Sequence, residues 1–161
     1  MKTKKFNGFN EEGCLPFGIY EMNIDEFENI FTKNKSTKRK EIMKHYKEYI
    51  KDIINSPYYL NHWIDGSYVT LKKNPNDIDL LTEYDGIKVD NDNKKEEIEG
   101  IIYDAPLKTC NTCHSFVVFN YPKSFPEEHE KFLELKSRIL FLIFAVNKKT
   151  KNPKGFVKLK D

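Results

Sequence analysis

Apolar positions recur at helical spacing twice in the first third of the chain. Ile24 to Thr32 predicts a short amphipathic helix, with Asp25, Glu26 and Glu28 in its first turns, where the helix dipole favours acids. Thr37 to Ile54 predicts a longer one. There Ile42, Tyr46, Tyr49, Ile50, Ile53 and Ile54 share a stripe, Lys38, Arg39, Lys40, Lys44, Lys47 and Lys51 take the outer face, and Pro57 ends it. Residues 1–23 show no such period. Gly8, Gly13, Pro16 and Gly18 punctuate them, so they read as extended or irregular.

The pattern then changes. Tyr58 to Asp65, rich in aromatics and Ile, predicts a strand that ends at Gly66-Ser67, and residues 67–73 a short helical turn. After Pro75, Asp77 to Tyr84 predicts a second strand. Residues 85–96 are polar and predict a mobile loop, followed by a short helix over Glu96 to Ile102. Thr112 to Tyr121 predicts a third strand, closed by Pro122 and Pro126.

Glu127 to Asn147 predicts the longest helix. Its core stripe is Phe132, Leu135, Ile139, Leu142, Ile143 and Val146, widened by Leu140, Phe141 and Phe144. Gly155 to Leu159 predicts a closing strand. This order of elements points to an α+β, or mixed α/β, domain spanning 1–161, with an irregular and helical segment (1–56) packed on its core.

Charge narrows the picture little. Lys and Arg number 27 against 25 Asp and Glu, so any basic surface must come from local clustering. The basic start is followed by no apolar stretch of a secretory signal. The longest apolar run, Ile139 to Val146, is far shorter than the roughly 20 residues a membrane span needs. Cys14, Cys110 and Cys113 make no disulfide framework. A cytoplasmic protein without a membrane partner is the expectation.

Candidate chemistry gathers in Trp63 to Leu80. Asp77 and Asp79 stand two apart on a predicted strand, so their carboxylates project from one face while Ile78 and Leu80 point into the core. Two neighbouring carboxylates repel unless a cation lies between them, and hard oxygen ligands suit Mg²⁺ or Mn²⁺. Gly66 and Ser67 lie where a strand turns: glycine lets backbone approach a phosphate closely, and the hydroxyl and N–H groups hold its oxygens. A phosphate grip beside a metal grip is what nucleotidyl transfer requires.

Gly66-Ser67 followed by Asp77-x-Asp79 resembles the signature of the nucleotidyltransferase superfamily, the fold of polymerase β and of small antitoxin-like nucleotidyltransferases. The wider context is similar to a bacterial family of unknown function in that superfamily, DUF6932. That likeness rests on Gly13-Cys-Leu-Pro-Phe-Gly18, Ile64-Asp-Gly-Ser-Tyr-Val-Thr70, Pro75-Asn-Asp-Ile-Asp-Leu80, Tyr121-Pro122 and Lys154-Gly-Phe-Val157.

The resemblance implies a nucleotidyltransferase-like fold, a nucleoside triphosphate held by Gly66 and Ser67, and a metal held by Asp77 and Asp79. It also implies a hydroxyl acceptor on RNA, protein or a small molecule, in a toxin–antitoxin or phage-defence setting. The superfamily takes a third carboxylate from a neighbouring strand. Here that strand, Thr112 to Phe119, has no Asp or Glu, and His114, or Ser115, stands in its place. An enzyme is one reading. A catalytically degenerate relative that binds a nucleotide, RNA or protein partner is the other.

Cys110-Asn-Thr-Cys113-His114 spells the c-type haem attachment motif, but it runs into an apolar strand pattern without an export signal, so no haem is expected. A zinc site on Cys110, Cys113 and His114 lacks a fourth ligand, and packed cysteines are the plainer reading. The basic face of 38–51 and the Lys-rich segment Lys148 to Lys160 are candidates for a nucleic-acid backbone or a docking partner. His45, His62 and His129 show no metal spacing.

Overall fold

Four of the expected strands join one sheet, and the irregular start supplies two more. The structure is a computed structural model that describes residues 2–160; Met1 and Asp161, the two ends of the expected unit, lie outside the described residues. In chain order the strands are β1 (Thr3–Lys4), β2 (Ile19–Met22), β3 (Tyr59–Asp65), β4 (Ile78–Asp85), β5 (Cys113–Asn120) and β6 (Phe156–Leu159). In space they run β1-β2-β6-β3-β4-β5. β3 lies antiparallel to both β4 and β6, while β5 lies parallel to β4. The fold is mixed α/β.

Helices cover both faces. On one lie α1 (Ile24–Phe31) and α2 (Thr37–Ile54), whose Phe27, Phe31, Ile42, Tyr46 and Ile50 pack with Ile64, Ile78, Leu80 and Val157 of the sheet. Asn23 and Glu26 form a capping box that starts α1, and the Ser36 hydroxyl caps α2. On the other face α6 (Pro126–Arg138) and the π-helical turn Ile139–Phe144 bring Phe132, Ile139, Leu140 and Phe144 onto Trp63, Leu81, Val118 and Phe156. Alternation along each strand sends Ile64 to one layer and Trp63 to the other.

Three expectations need correction. The polar stretch 85–96 is not a loop. Asp85 closes β4 and caps α3 (Gly86–Asn91), a left-handed residue at Asn93 reverses the chain, and α4 (Lys95–Tyr103) follows, then the single turn α5 (Ala105–Lys108). Only Gly86 and Val89 of α3 are buried, too few for a helical period to show.

The long helix over 127–147 breaks at Arg138. Its π turn closes each ring with one residue more than an α-helix, so the buried side shifts round. Leu135 and Leu142, expected in the core, are 47% and 72% exposed, and Phe141 is exposed as well.

Arg39, assigned by sequence to the outer face of α2, is buried instead. Its guanidinium donates to the carbonyls of Phe31 (2.8 Å), Tyr68 (2.7 Å), Thr70 (2.6 Å) and Lys72 (2.7 Å). It thereby ties α2 to the turn after β3, and the expected helix over 67–73 shortens to one 3₁₀ turn, Ser67–Val69. His62 is also fully buried. Its Nδ1 lies 2.9 Å from the Thr82 hydroxyl, and burial lowers its pKa to about 3, so the imidazole is neutral. Among the described residues no helix is long and apolar enough to cross a membrane.

Candidate functional site

Three adjacent strand ends carry the polar residues of the second sheet face. Asp65 closes β3, Asp79 lies opposite it near the start of β4, and His114 lies beside Asp79 at the start of β5. Asp77, one residue before β4, reaches the same place. His114 Nδ1 stands 3.4 Å from Asp77 Oδ2 and 3.8 Å from Asp79 Oδ1. One ligand atom from each of Asp77, Asp79 and His114 lies within 4.8 Å of the others.

Strand alternation accounts for which residues meet. Ser115 points to the opposite face, where the Tyr49 hydroxyl donates to it at 3.0 Å, so of the two candidates only His114 joins the aspartates. Cys113 is wholly buried in the α1–α2 layer, while Cys110 is exposed in a left-handed turn. The cysteines and His114 do not converge, and all three thiols are free.

Gly66 brings the turn after β3 against the carboxylates. It adopts φ +83°, and a Cβ there would lie 2.5 Å from Asp79 Oδ2 and 3.1 Å from its Cγ. Any side chain would both strain the backbone and push the Asp79 carboxylate aside. Gly66→Ala is therefore expected to lose about 1–3 kcal/mol of stability and to weaken any metal binding by the cluster. Urea unfolding and a Mn²⁺ titration by calorimetry check the two effects.

Sequence reasoning missed the layer beneath. Asp65 and Lys154 form a buried ion pair, and the Gly66 N–H also donates to Asp65. Burial pushes the Asp65 carboxyl up to about 7, with Lys154 opposing. Lys154 lies in the Lys-rich segment that sequence offers as a docking surface, yet it is only 6% exposed. The signal was present, since Asp65 and Lys154 each belong to a quoted motif, but nothing in the sequence pairs them. Glu83, two positions beyond Leu81 on the same strand face, is buried too. It accepts from Lys136 at 2.7 Å, and Lys136 also lies 4.5 Å over the Trp63 ring, which fastens α6 to the sheet.

Burial also raises the Asp79 carboxyl above the ordinary range; Lys148, its Nζ 3.9 Å from Asp79 Oδ2, pulls it down, and Asp77 adds to the rise. A cation between the two acids would relieve both the burial and the repulsion. The donor set of two carboxylates and an imidazole fits a divalent ion, with His114 favouring Mn²⁺ over the oxygen-seeking Mg²⁺.

The cluster opens into a cleft of about 620 Å³. Gly66, Ser67 and Thr70 line one side, and Asn147, Lys148 and Lys149 another. The Glu12 carboxylate holds the 147–152 turn in place, accepting from Asn147 Nδ2 (2.9 Å), the Thr150 hydroxyl (2.9 Å) and Asn152 Nδ2. Gly66, Ser67, Asp77, Asp79 and His114, the residues singled out from sequence, thus all gather at one place.

The model of a family of unknown function, DUF6932, matches residues 7–160. The chain belongs to that family. Neither the curated proteins nor the solved structures give a significant match.

Proposed function

We propose that this DUF6932 protein is a metal-dependent nucleotidyltransferase that moves a nucleotidyl group from a nucleoside triphosphate to a hydroxyl acceptor. One observation carries the reading: Asp77 and Asp79, with His114 beside them, line the same cleft as the Gly66-Ser67 turn. A metal ion held by Asp77, Asp79 and His114 would draw charge from the α-phosphate. The Gly66 and Ser67 backbone, with the Ser67 hydroxyl, would hold the β- and γ-phosphates in line for departure.

The acceptor oxygen bonds to the α-phosphorus as the bond from that phosphorus to the bridging oxygen breaks. Pyrophosphate leaves with that electron pair, and the hydroxyl proton passes to solvent on the open side of Asp77. Lys148 and Lys149 line the same cleft and meet the charge of the departing pyrophosphate.

His114 in the place of a third acid makes a specific forecast. Nucleoside triphosphate with Mn²⁺ should raise the melting midpoint more than the same nucleotide with Mg²⁺. His114→Asp, which supplies three carboxylates, should bring the Mg²⁺ shift up to the Mn²⁺ one. Equal shifts in wild type, unchanged by the substitution, would contradict the assignment of His114 as a ligand.

The missing third carboxylate supports a second reading, a relative that binds nucleotide or partner without turning over. Asp65 does not restore the acid, because Lys154 occupies it. A labelled nucleotide that binds with metal and is never transferred would favour that reading.

A further inference from the structure

A second groove adjoins the cleft. Its volume is about 380 Å³, and its lining is Asn34, Lys35, Ser36, Arg39 and residues 70–73. Thr70, Leu71 and Lys72 line both cavities, so the two form one path over the turn after β3. This groove has no carboxylate in its wall. Lys35, Lys72 and Lys73 are exposed, and among the described residues none of them forms an ion pair.

The path has fixed walls. Arg39 draws in the carbonyls of Tyr68, Thr70 and Lys72, and the Ser36 hydroxyl donates to the Lys73 carbonyl at 2.8 Å. With those carbonyls turned inward, the lysine side chains stand along the rim. At the other end, the cleft holds Lys148 and Lys149 beside the carboxylates of Asp77 and Asp79, Lys148 being 3.9 Å from Asp79, so the unpaired positive charge lies along the groove. Leu71, 55% exposed where the groove meets the cleft, offers an apolar surface beside Lys72.

The geometry points to a single-stranded polynucleotide as the occupant, its phosphodiesters along Lys35, Lys73 and Lys72 and its terminal hydroxyl in the cleft. A row of unpaired cations without acids suits a repeating anion, and the exposed leucine suits the face of a base. Only the placing of the terminal hydroxyl rests on the transfer reading; binding along the groove does not.

The test is fluorescence anisotropy with a 12-nucleotide single strand, as RNA and as DNA, and with a poly-glutamate of equal charge, without metal or nucleotide. Three lysines on phosphates would give a slope of log affinity against log salt of about −2. Lys35→Ala/Lys72→Ala/Lys73→Ala, all at exposed positions, should flatten that slope by about 2 and weaken binding at least tenfold at low salt. Lys131→Ala, on α6, should change neither.

The RNA and DNA arms tell which sugar is preferred. Absence of binding to either strand, binding unmoved by the triple substitution, or poly-glutamate bound as tightly would each overturn the proposal, the last in favour of an acidic protein. Asp77→Asn should leave strand binding intact. Failure of the wild-type protein to bind any nucleotide would count against the transfer reading alone and leave the groove standing.

Discussion

Asp79→Asn will melt at or above the wild-type temperature in metal-free buffer and, on the proposed function, will not gain the stabilisation expected from nucleotide with Mn²⁺. Asp79 is 8% exposed, its carboxyl is raised by burial, and Asp77 repels it. An amide of the same shape removes that repulsion and the desolvated charge, so the empty fold does not suffer. The same change removes a carboxylate ligand, and a nucleotide at about 100 times its dissociation constant no longer contributes its roughly 2.7 kcal/mol. For a chain of this size that corresponds to a midpoint about 5–11 °C lower than wild type under saturating ligand. Calorimetric melting with and without ligand reads both halves. A residue serving only the fold would show the reverse, a loss in both buffers.

Lys154→Met carries the largest expected loss of stability. Removing one partner of a buried ion pair leaves the other uncompensated, a cost of about 3–5 kcal/mol. The pH dependence identifies the cause. A carboxyl whose folded pKa is raised contributes stability that is fully present below its unfolded value near 3.8 and is lost as pH rises through the folded value. For wild-type Asp65 that loss runs from about pH 4 to about pH 7. Without Lys154 the folded value rises further, so the decline continues above pH 7. The variant should therefore lie closest to wild type near pH 5 and furthest from it near pH 9. Urea unfolding at the two pH values measures the gap; a gap that does not change with pH would show that Lys154 acts by packing alone. Asp65→Asn/Lys154→Met, with no charge left, should recover much of the loss.

Much of this architecture was legible in the sequence where period and punctuation agreed. The α2 stripe as far as Ile53, the two strands flanking Gly66-Ser67 and the strand after Cys110 form as expected, while Ile54, expected on the same stripe, is exposed at the helix end. Asp77 and Asp79 were legible because alternate residues before an apolar pair can reach one side together. His114 was legible as the residue standing where an acid is expected, and its register opposite Asp79 accounts for that.

What stayed hidden depends on long-range contacts. Lys154 reads as one of a run of surface lysines until β6 settles beside β3 and brings it to Asp65. Arg39 reads as part of a basic helix face until the 68–72 carbonyls turn towards it. α3 has too few buried positions to display a period, and the π turn after Arg138 changes the period within a run that is apolar on every side.

Asp77, Asp79 and the Gly66-Ser67 turn are proposed to hold a metal–nucleotide pair. A thermal-shift titration with each nucleoside triphosphate, with and without Mn²⁺ or Mg²⁺, on wild type and on Asp77→Asn/Asp79→Asn tests it most directly. A metal-dependent rise in midpoint for at least one nucleotide, absent from the double variant, is the predicted result. No rise with any nucleotide in either metal, or a rise of equal size in the double variant, would contradict it.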